Sequence, residues 1–98
     1  MKIELKKFGT VLTSRPAGKE ALAAFEPTLR RLNKKEDVVV DFDGVLVFSP
    51  SWGDEFLTPL LSRYKKGLKL INTSNISVIE TVEMLEEVHG FKFNKIKI

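Results

Sequence analysis

The sequence predicts a small α/β domain with a mixed β-sheet and about three helices. The apolar, β-branched run Val38–Val40 is too short for a helix and is typical of a strand that is buried on both faces. Apolar residues recur at helical spacing in three other segments, which alternate with strand-like segments. The predicted order is β-β-α-β-α-β-α-β in a single domain over residues 1–98, a length that holds one compact core.

The first two strands are predicted to form a hairpin. Ile3 and Leu5 alternate with charged neighbours, as in a half-buried strand. Gly9 interrupts this pattern, and Val11–Leu12 would form the second strand. The edges of the sheet are expected at the beginning and the end of the chain, where lysines disfavour pairing between copies.

The first helix is expected to begin after Ser14, which is a candidate N-cap. Pro16 is tolerated at the start of a helix, where a backbone N–H has no partner within the helix. Pro27 lies inside the apolar stripe, so we expect the helix to kink or loosen near Glu26. The stripe consists of Leu22, Phe25, Leu29 and Leu32.

The second helix is expected to begin at Ser51, whose side-chain oxygen would cap the free backbone amides. Asp54 and Glu55 would then lie near the positive end of the helix dipole. Pro59 would bend this helix, and the basic residues and glycine of Lys65–Gly67 would end it. Its apolar stripe consists of Phe56, Leu57, Leu60, Leu61 and Tyr64.

A short strand at Leu68–Ile71 is followed by the third helix and a final strand. Ser77 and Glu80 match a capping box at the start of this helix, and His89, the single histidine, would complement the dipole at its end. A bulge near Asn94 would restore the alternation of the final strand. The helix is expected to bury Ile79, Val82, Leu85 and Val88, and the strand to contain Phe91, Phe93, Ile96 and Ile98.

Composition and charge exclude several classes of protein. The chain contains no cysteine, so neither disulfides nor thiolate metal sites are possible. No segment resembles a signal peptide or reaches membrane-spanning length, which predicts a cytoplasmic protein. The net charge of +3 comes from scattered basic pairs without interleaved aromatic residues, so solvated surface is favoured over nucleic-acid contact. These pairs are Lys6–Lys7, Arg30–Arg31, Lys34–Lys35 and Lys65–Lys66.

The run VVVDFDGVL at 38–46 resembles the first motif of haloacid-dehalogenase-type phosphohydrolases, an apolar strand followed by Asp-x-Asp-Gly. That resemblance implies a nucleophilic Asp41, a general acid/base Asp43 and a Mg²⁺ ion that both residues help to hold. However, 37 residues precede this run, and no acidic pair on a later strand follows Leu70–Ser74 to complete the metal site. The competing interpretation is structural, with both carboxylates accepting backbone amides in the turn around Gly44.

A second resemblance covers nearly the whole chain. The segment VVVDFDGVLVFSPSWGDEF at 38–56, with TSRPAG at 13–18 and LINTSN at 70–75, is similar to the STAS-like domain family. This family is related to the sulfate-transporter and anti-sigma-factor-antagonist domains. The matching positions are Asp41, Phe42, Gly44, Val45, Ser49, Ser51, Trp52, Asp54 and Glu55.

This resemblance implies a non-catalytic bacterial signalling module that binds a protein partner and needs neither a cofactor nor a membrane. In the related antagonists, a serine at the start of this helix is phosphorylated by a partner ATPase-kinase, and the added charge breaks the complex. Here Pro50 occupies the usual acceptor position, which leaves Ser49 and Ser51 as candidate modification sites. The implied partner is an ATPase-kinase or an anti-sigma-like regulator.

The predicted binding and switch surface is the turn and helix start at Phe48–Glu55, together with Arg15 and Asp43. Trp52 would be either a core residue or an exposed anchor for the partner, since tryptophan is enriched at binding hot spots. Arg15 would pair with Asp43 or Asp54, or would bind a phosphate. The residues of this surface are Arg15, Asp43, Ser49, Ser51, Trp52, Asp54 and Glu55.

Overall fold

A computed structural model describes residues 1–33 and 36–97 and confirms the small α/β fold with three helices. In these residues, strands and helices alternate along most of the chain, and two short 3-10 segments follow the first strand and the second helix. The elements are β1 (Lys2–Glu4), β2 (Val11–Leu12), α1 (Arg15–Leu29), β3 (Val38–Asp41), β4 (Val47–Phe48), α2 (Pro50–Tyr64), β5 (Leu68–Ile71), α3 (Ile76–His89) and β6 (Asn94–Lys95). The 3-10 segments are Leu5–Phe8 and Lys65–Gly67.

The strands form two parallel sheets. The main sheet has the order β1-β3-β5-β6, and Val40 of β3 lies between Ile3 of β1 and Leu70 of β5. The smaller sheet pairs β2 with β4. The predicted hairpin between β1 and β2 is therefore wrong, because the 3-10 segment Leu5–Phe8 and Gly9, with φ of 129°, turn the chain towards β4. Without the hairpin, each strand pair among the described residues is parallel.

The core lies around β3, whose burial was predicted, and the neighbouring strand β5. Val38 and Val40 of β3 and Leu68 and Leu70 of β5 are fully buried. This burial explains why these strands are rich in apolar residues, since central parallel strands are covered on both faces. A cluster of aromatic rings continues the core towards the start of α2, namely Phe8, Phe42, Phe48, Trp52 and Phe56.

The N-terminal caps of the helices agree with the sequence prediction only for α1. The Oγ of Ser14 accepts a hydrogen bond from the Ala17 N–H, which confirms this cap. The predicted cap of α2 at Ser51 is wrong, because the helix begins one residue earlier and the Oγ of Ser49 accepts from the Trp52 N–H at 3.2 Å. Pro50, with its fixed φ and no N–H, occupies the first helical position, to which proline is well suited.

The start of α3 also differs from the prediction. Asn75 caps this helix, because its Oδ1 accepts from the backbone N–H groups of Ser77 at 2.7 Å and Val78 at 3.3 Å. The predicted capping box of Ser77 and Glu80 is therefore wrong. The Oγ of Ser77 bonds instead to the backbone of Phe48, accepting from its N–H and donating to its carbonyl. This contact ties α3 to the strand that leads into α2.

Several other boundaries differ from the expected ones. Helix α1 continues past Pro27 and ends at Leu29, so Leu32 lies beyond it, and α2 runs through Pro59 to Tyr64. Residue 65, not Gly67, has the positive φ at the end of α2. Strand β6 is limited to Asn94–Lys95, without Phe91 or Phe93. Ile98 and the pair Lys34–Lys35 lie outside the described residues.

Within residues 1–33 and 36–97, no helix is both long enough and apolar enough to cross a membrane.

Candidate functional site

The start of α2 is held in place by α3. Both the Oγ of Ser77 and the hydroxyl of Thr81 donate hydrogen bonds to the carbonyl of Phe48, the last residue of β4. Ser49 then caps α2 with its side chain. Because these contacts connect β4, α2 and α3, the relative position of the two helices at this end is well defined.

Ser51 lies in a shallow depression between α1, α2 and α3. It is half-buried, and within the described part of the chain its hydroxyl has no hydrogen-bond partner. The depression has a volume of about 190 Å³. Its lining combines charged and apolar side chains, namely Arg15, Pro50, Ser51, Asp54, Met84, Leu85, Val88 and His89.

Arg15 connects α1 to the first turns of α2. Its Nη1 lies 3.0 Å from the Oδ2 of Asp54 and 2.9 Å from the Oε2 of Glu55. The predicted pairing with Asp54 is confirmed. The alternative pairing with Asp43 is wrong, because Asp43 lies near the Nζ of Lys6 at 3.7 Å, at the carboxyl end of β3.

Asp54 is the centre of the charged cluster. Its Oδ1 accepts from the hydroxyl of Thr58 at 2.9 Å and lies 2.8 Å from the Nε2 of His89, and its Oδ2 bonds to Arg15. Partial burial raises the pKa of Asp54, but the hydrogen bonds from Arg15, Thr58 and His89 outweigh burial and hold the pKa below its ordinary value. The carboxylate therefore stays ionised and joins three helices.

The role of His89 at this site is not visible in the sequence. The residue ends α3, as predicted, but its ring also stacks on Phe91 with centroids 5.4 Å apart and planes nearly parallel. Its contact with Asp54 joins residues that are 35 positions apart. No spacing rule links residues this far apart, so only the packing of α3 on α2 reveals the contact.

Trp52 belongs to the core. Its side chain is only 2% exposed, and its ring stacks on Phe56 with centroids 5.0 Å apart. Phe8 and Phe48 lie against it at 6.1 and 5.8 Å. The alternative of an exposed anchor is therefore wrong, because Trp52 is a core residue that packs against other aromatic rings.

Asp41 has a structural role at the carboxyl end of β3. Its Oδ1 accepts from the Asp43 N–H at 2.9 Å and from the Asn72 side chain at 2.8 Å, and its Oδ2 lies 3.2 Å from the Nζ of Lys2. Burial raises the pKa of Asp41, but these three partners outweigh burial and lower the pKa overall. The prediction that this carboxylate binds a backbone amide in the turn is confirmed, whereas Asp43 is exposed and contacts Lys6. Among the described residues, no three His, Cys, Asp or Glu side chains are grouped to hold a metal ion.

Helix α3 exposes apolar side chains next to the charged cluster. Val88 is 70% exposed and Met84 49%, and their spacing of four residues places them on one face of the helix. The prediction that Val88 points inward is wrong, because α3 buries the face that contains Val78, Val82 and Leu85. We call the surface formed by Arg15, Ser51, Asp54, Met84, Val88 and His89 the α2–α3 surface.

A protein-family model described as a STAS-like domain of unknown function (DUF4325) matches residues 24–78, more than half of the chain. The chain therefore belongs to the STAS-like domain family. The matched range includes β3, all of α2 and the cap of α3, whereas Arg15 and His89 lie outside it. Searches of curated proteins and of solved structures found no match.

Proposed function

We propose that this domain is a non-catalytic signalling module of the cytoplasm, which binds a protein partner through the α2–α3 surface. The observation that carries the proposal is the exposure of Met84 and Val88 beside Ser51 and the Arg15–Asp54–His89 cluster. An apolar centre with a charged rim is the usual composition of a protein interface. Burial of Met84 and Val88 against a partner would contribute up to about 2 kcal/mol per side chain to the free energy of binding, by analogy with burial in a protein core.

The resemblance to anti-sigma-factor antagonists supports an ATPase-kinase or an anti-sigma-like regulator as the partner. In such a system, the surface at the start of α2 would be the part of the domain that the partner recognises. The conformation of this surface is set by contacts within the domain, from the cap at Ser49 to the bonds between Phe48 and α3. The partner would therefore meet a surface that is already in its binding conformation.

Ser51 is the better of the two candidate modification sites. The hydroxyl oxygen of Ser49 already accepts the capping hydrogen bond of α2, and a phosphate there would disturb the helix start. A phosphate on Ser51 would add a charge of about −2 in the depression that Arg15 and His89 line. It would compete with Asp54 for Arg15 and His89 and repel the Asp54 carboxylate, so phosphorylation would rearrange the rim of the interface.

A test of the binding surface compares two exposed valines. The partner would first be captured from the native lysate with the tagged domain, purified, and titrated against variants by calorimetry. Val88→Asp should weaken binding at least about tenfold, because it places a charge in the apolar centre of the surface. Val11 is exposed on β2, away from this surface, so Val11→Asp should have little effect on binding. Equal affinities of the two variants, or no specific partner, would contradict the proposal. Ser51→Glu should also weaken binding if the serine is a switch.

The absence of catalysis is tested separately. A phosphohydrolase would need an accessible Asp41, but this carboxylate is buried and is hydrogen-bonded to Asn72 and the Asp43 amide. We expect aryl phosphate with Mg²⁺ to be hydrolysed no faster by the wild-type domain than by Asp41→Asn. Turnover above background that falls in this variant would contradict the proposal.

A further inference from the structure

A second depression combines an apolar floor with a rim of lysines. It lies between the end of α2 and the segment that joins α3 to β6, and it shares no residue with the α2–α3 surface. Its volume of about 530 Å³ is within the range of small-molecule sites. The lining consists of Leu61, Lys65, Lys66, Phe91, Lys92, Phe93 and Asn94.

The floor of this depression is held by contacts within the domain. The rings of Phe91 and Phe93 meet edge to face with centroids 5.0 Å apart, and Phe91 also stacks on His89. The backbone N–H of Phe93 donates to the Oε2 of Glu86 at 2.8 Å, and this glutamate is buried. The apolar floor therefore exists before any ligand binds, which reduces the entropic cost of binding.

The rim of the depression carries an excess of positive charge. In the part of the chain that the structure describes, Lys65 and Lys66 have no carboxylate partner. Lys92 lies 3.9 Å from Glu86, but that carboxylate already pairs with Lys95 at 3.1 Å and with the Phe93 amide. An anionic group in the depression would thus meet ammonium groups that are free or weakly paired.

The backbone of Lys65 supports a functional role for this rim. Its φ of 49° lies in the region that favours glycine, and its ψ of −118° is outside the left-handed helical minimum. A glycine stands two residues later at position 67, yet the strained position is occupied by lysine. Strained residues of this kind cluster at binding sites.

From these observations we infer that the depression binds an amphiphilic carboxylate, a molecule with an apolar chain and one anionic end. The chain would lie on Leu61, Phe91 and Phe93, and the carboxylate would pair with the lysines at positions 65, 66 and 92. A small polar anion would leave the apolar floor uncovered, and a neutral hydrocarbon would leave the ammonium groups without a partner. This inference is independent of the proposed interaction with a protein.

The test is an NMR titration of the ¹⁵N-labelled domain with octanoate, octanol and octyltrimethylammonium. Octanoate should shift the amide signals of Lys65, Lys66 and the Phe91–Asn94 segment in a saturable way. Octanol should bind about tenfold more weakly because it lacks the charge, and the cationic analogue should not bind at these residues. Lys66→Gln with Lys92→Gln should weaken octanoate binding about tenfold, and the effect should shrink as salt increases.

A matched control removes two other positive charges. Lys19→Gln with Arg31→Gln changes the net charge equally at exposed positions outside the depression, and should leave octanoate binding unchanged. Equal affinity for octanoate and octanol, equal weakening in both double variants, or shifts confined to other residues would overturn the inference. Shifts of the same amides by oligothymidylate but not by octanoate would also overturn it and would indicate a nucleic-acid site.

Discussion

The contact between α1 and α2 at Gly18 allows a quantitative test of the packing. A Cβ atom at position 18 would lie 2.6 Å from the carbonyl oxygen of Trp52 and 2.9 Å from its Cα. Ordinary contacts to a Cβ atom begin at 3.4 Å, so Gly18→Ala requires the two helices to separate by about 0.8 Å. Both opposing atoms belong to the backbone, so no side-chain rotation can relieve the overlap.

Two opposing effects set the size of the change. Alanine favours the helix over glycine by about 1 kcal/mol, whereas overpacking of this kind costs about 1–3 kcal/mol or more. Because the overlap is with backbone, we expect the cost at the upper end and a net loss of about 2 kcal/mol in the free energy of unfolding. For a chain of 98 residues, this corresponds to a melting temperature roughly 10 °C lower.

The assay is urea denaturation followed through the fluorescence of Trp52, the single tryptophan, with thermal melts as a second measurement. Ala24→Gly, at an exposed position of the same helix, is the control for helix propensity and should cost about 1 kcal/mol. If Gly18→Ala were as stable as the wild type or more stable, the close approach of α1 to Trp52 would be refuted. Helix propensity alone would then account for the stability of the variant.

Three further predictions concern the helix ends and the charged cluster. Ser49→Ala should lower the free energy of unfolding by about 1 kcal/mol, and Ser51→Ala should change it by less than about 0.5 kcal/mol. A larger loss of stability in Ser51→Ala than in Ser49→Ala, measured by urea titration, would contradict the assignment of Ser49 as the cap. Burial raises the pKa of Asp54, but its hydrogen bonds lower the pKa by more, so the net effect is a lowered pKa in the folded domain. The ionised carboxylate therefore stabilises the fold above about pH 4, and this contribution is lost as the pH falls. Asp54→Asn should therefore flatten the acid side of the stability profile, and an unchanged acid side would exclude this contribution. Lys65→Gly should raise the free energy of unfolding by about 1 kcal/mol, because glycine adopts the positive φ at this position without strain. Lys66→Gly is the control and should lower the free energy of unfolding. A lower free energy of unfolding in both variants, measured by calorimetry, would rule out strain at position 65.

The sequence predicts the parts of this fold that depend on local patterns. The apolar run at Val38–Val40 identifies the central strand, and the helical stripes identify the three helices. A strand that is buried on both faces has a continuous apolar run, whereas a helix that is buried on one face has apolar residues every three or four positions. The caps are less certain from sequence, because Ser49 and Ser51 both satisfy the chemistry of an N-cap. Pro50 decides between them in the structure, since it occupies the first helical position.

Features that depend on contacts between distant residues could not be predicted in this way. The parallel pairing of β2 with β4 requires knowledge of where β4 lies, and a two-residue strand leaves almost no pattern. The contact of His89 with Asp54 depends on the rotation of α3, which also determines that Val88 faces outward. At the lysine-rimmed depression, the alternating run FKFNK at 91–95 was a usable signal, but its proximity to Lys65 was not.

The parallel arrangement of the main sheet has a consequence for how the chain folds. Lys2 of β1 pairs with Val39 of β3, and Val38 of β3 pairs with Leu68 of β5. Lys69 of β5 pairs with Asn94 of β6, which follows it by 25 residues. No two neighbouring strands can meet before a long loop closes, so we expect the helices to form early and the sheet to assemble slowly for a chain of this size. During synthesis, the edge of β5 stays uncovered until β6 has been made and has paired with it. A chain interrupted before residue 94 would leave this apolar strand open to pairing with another copy.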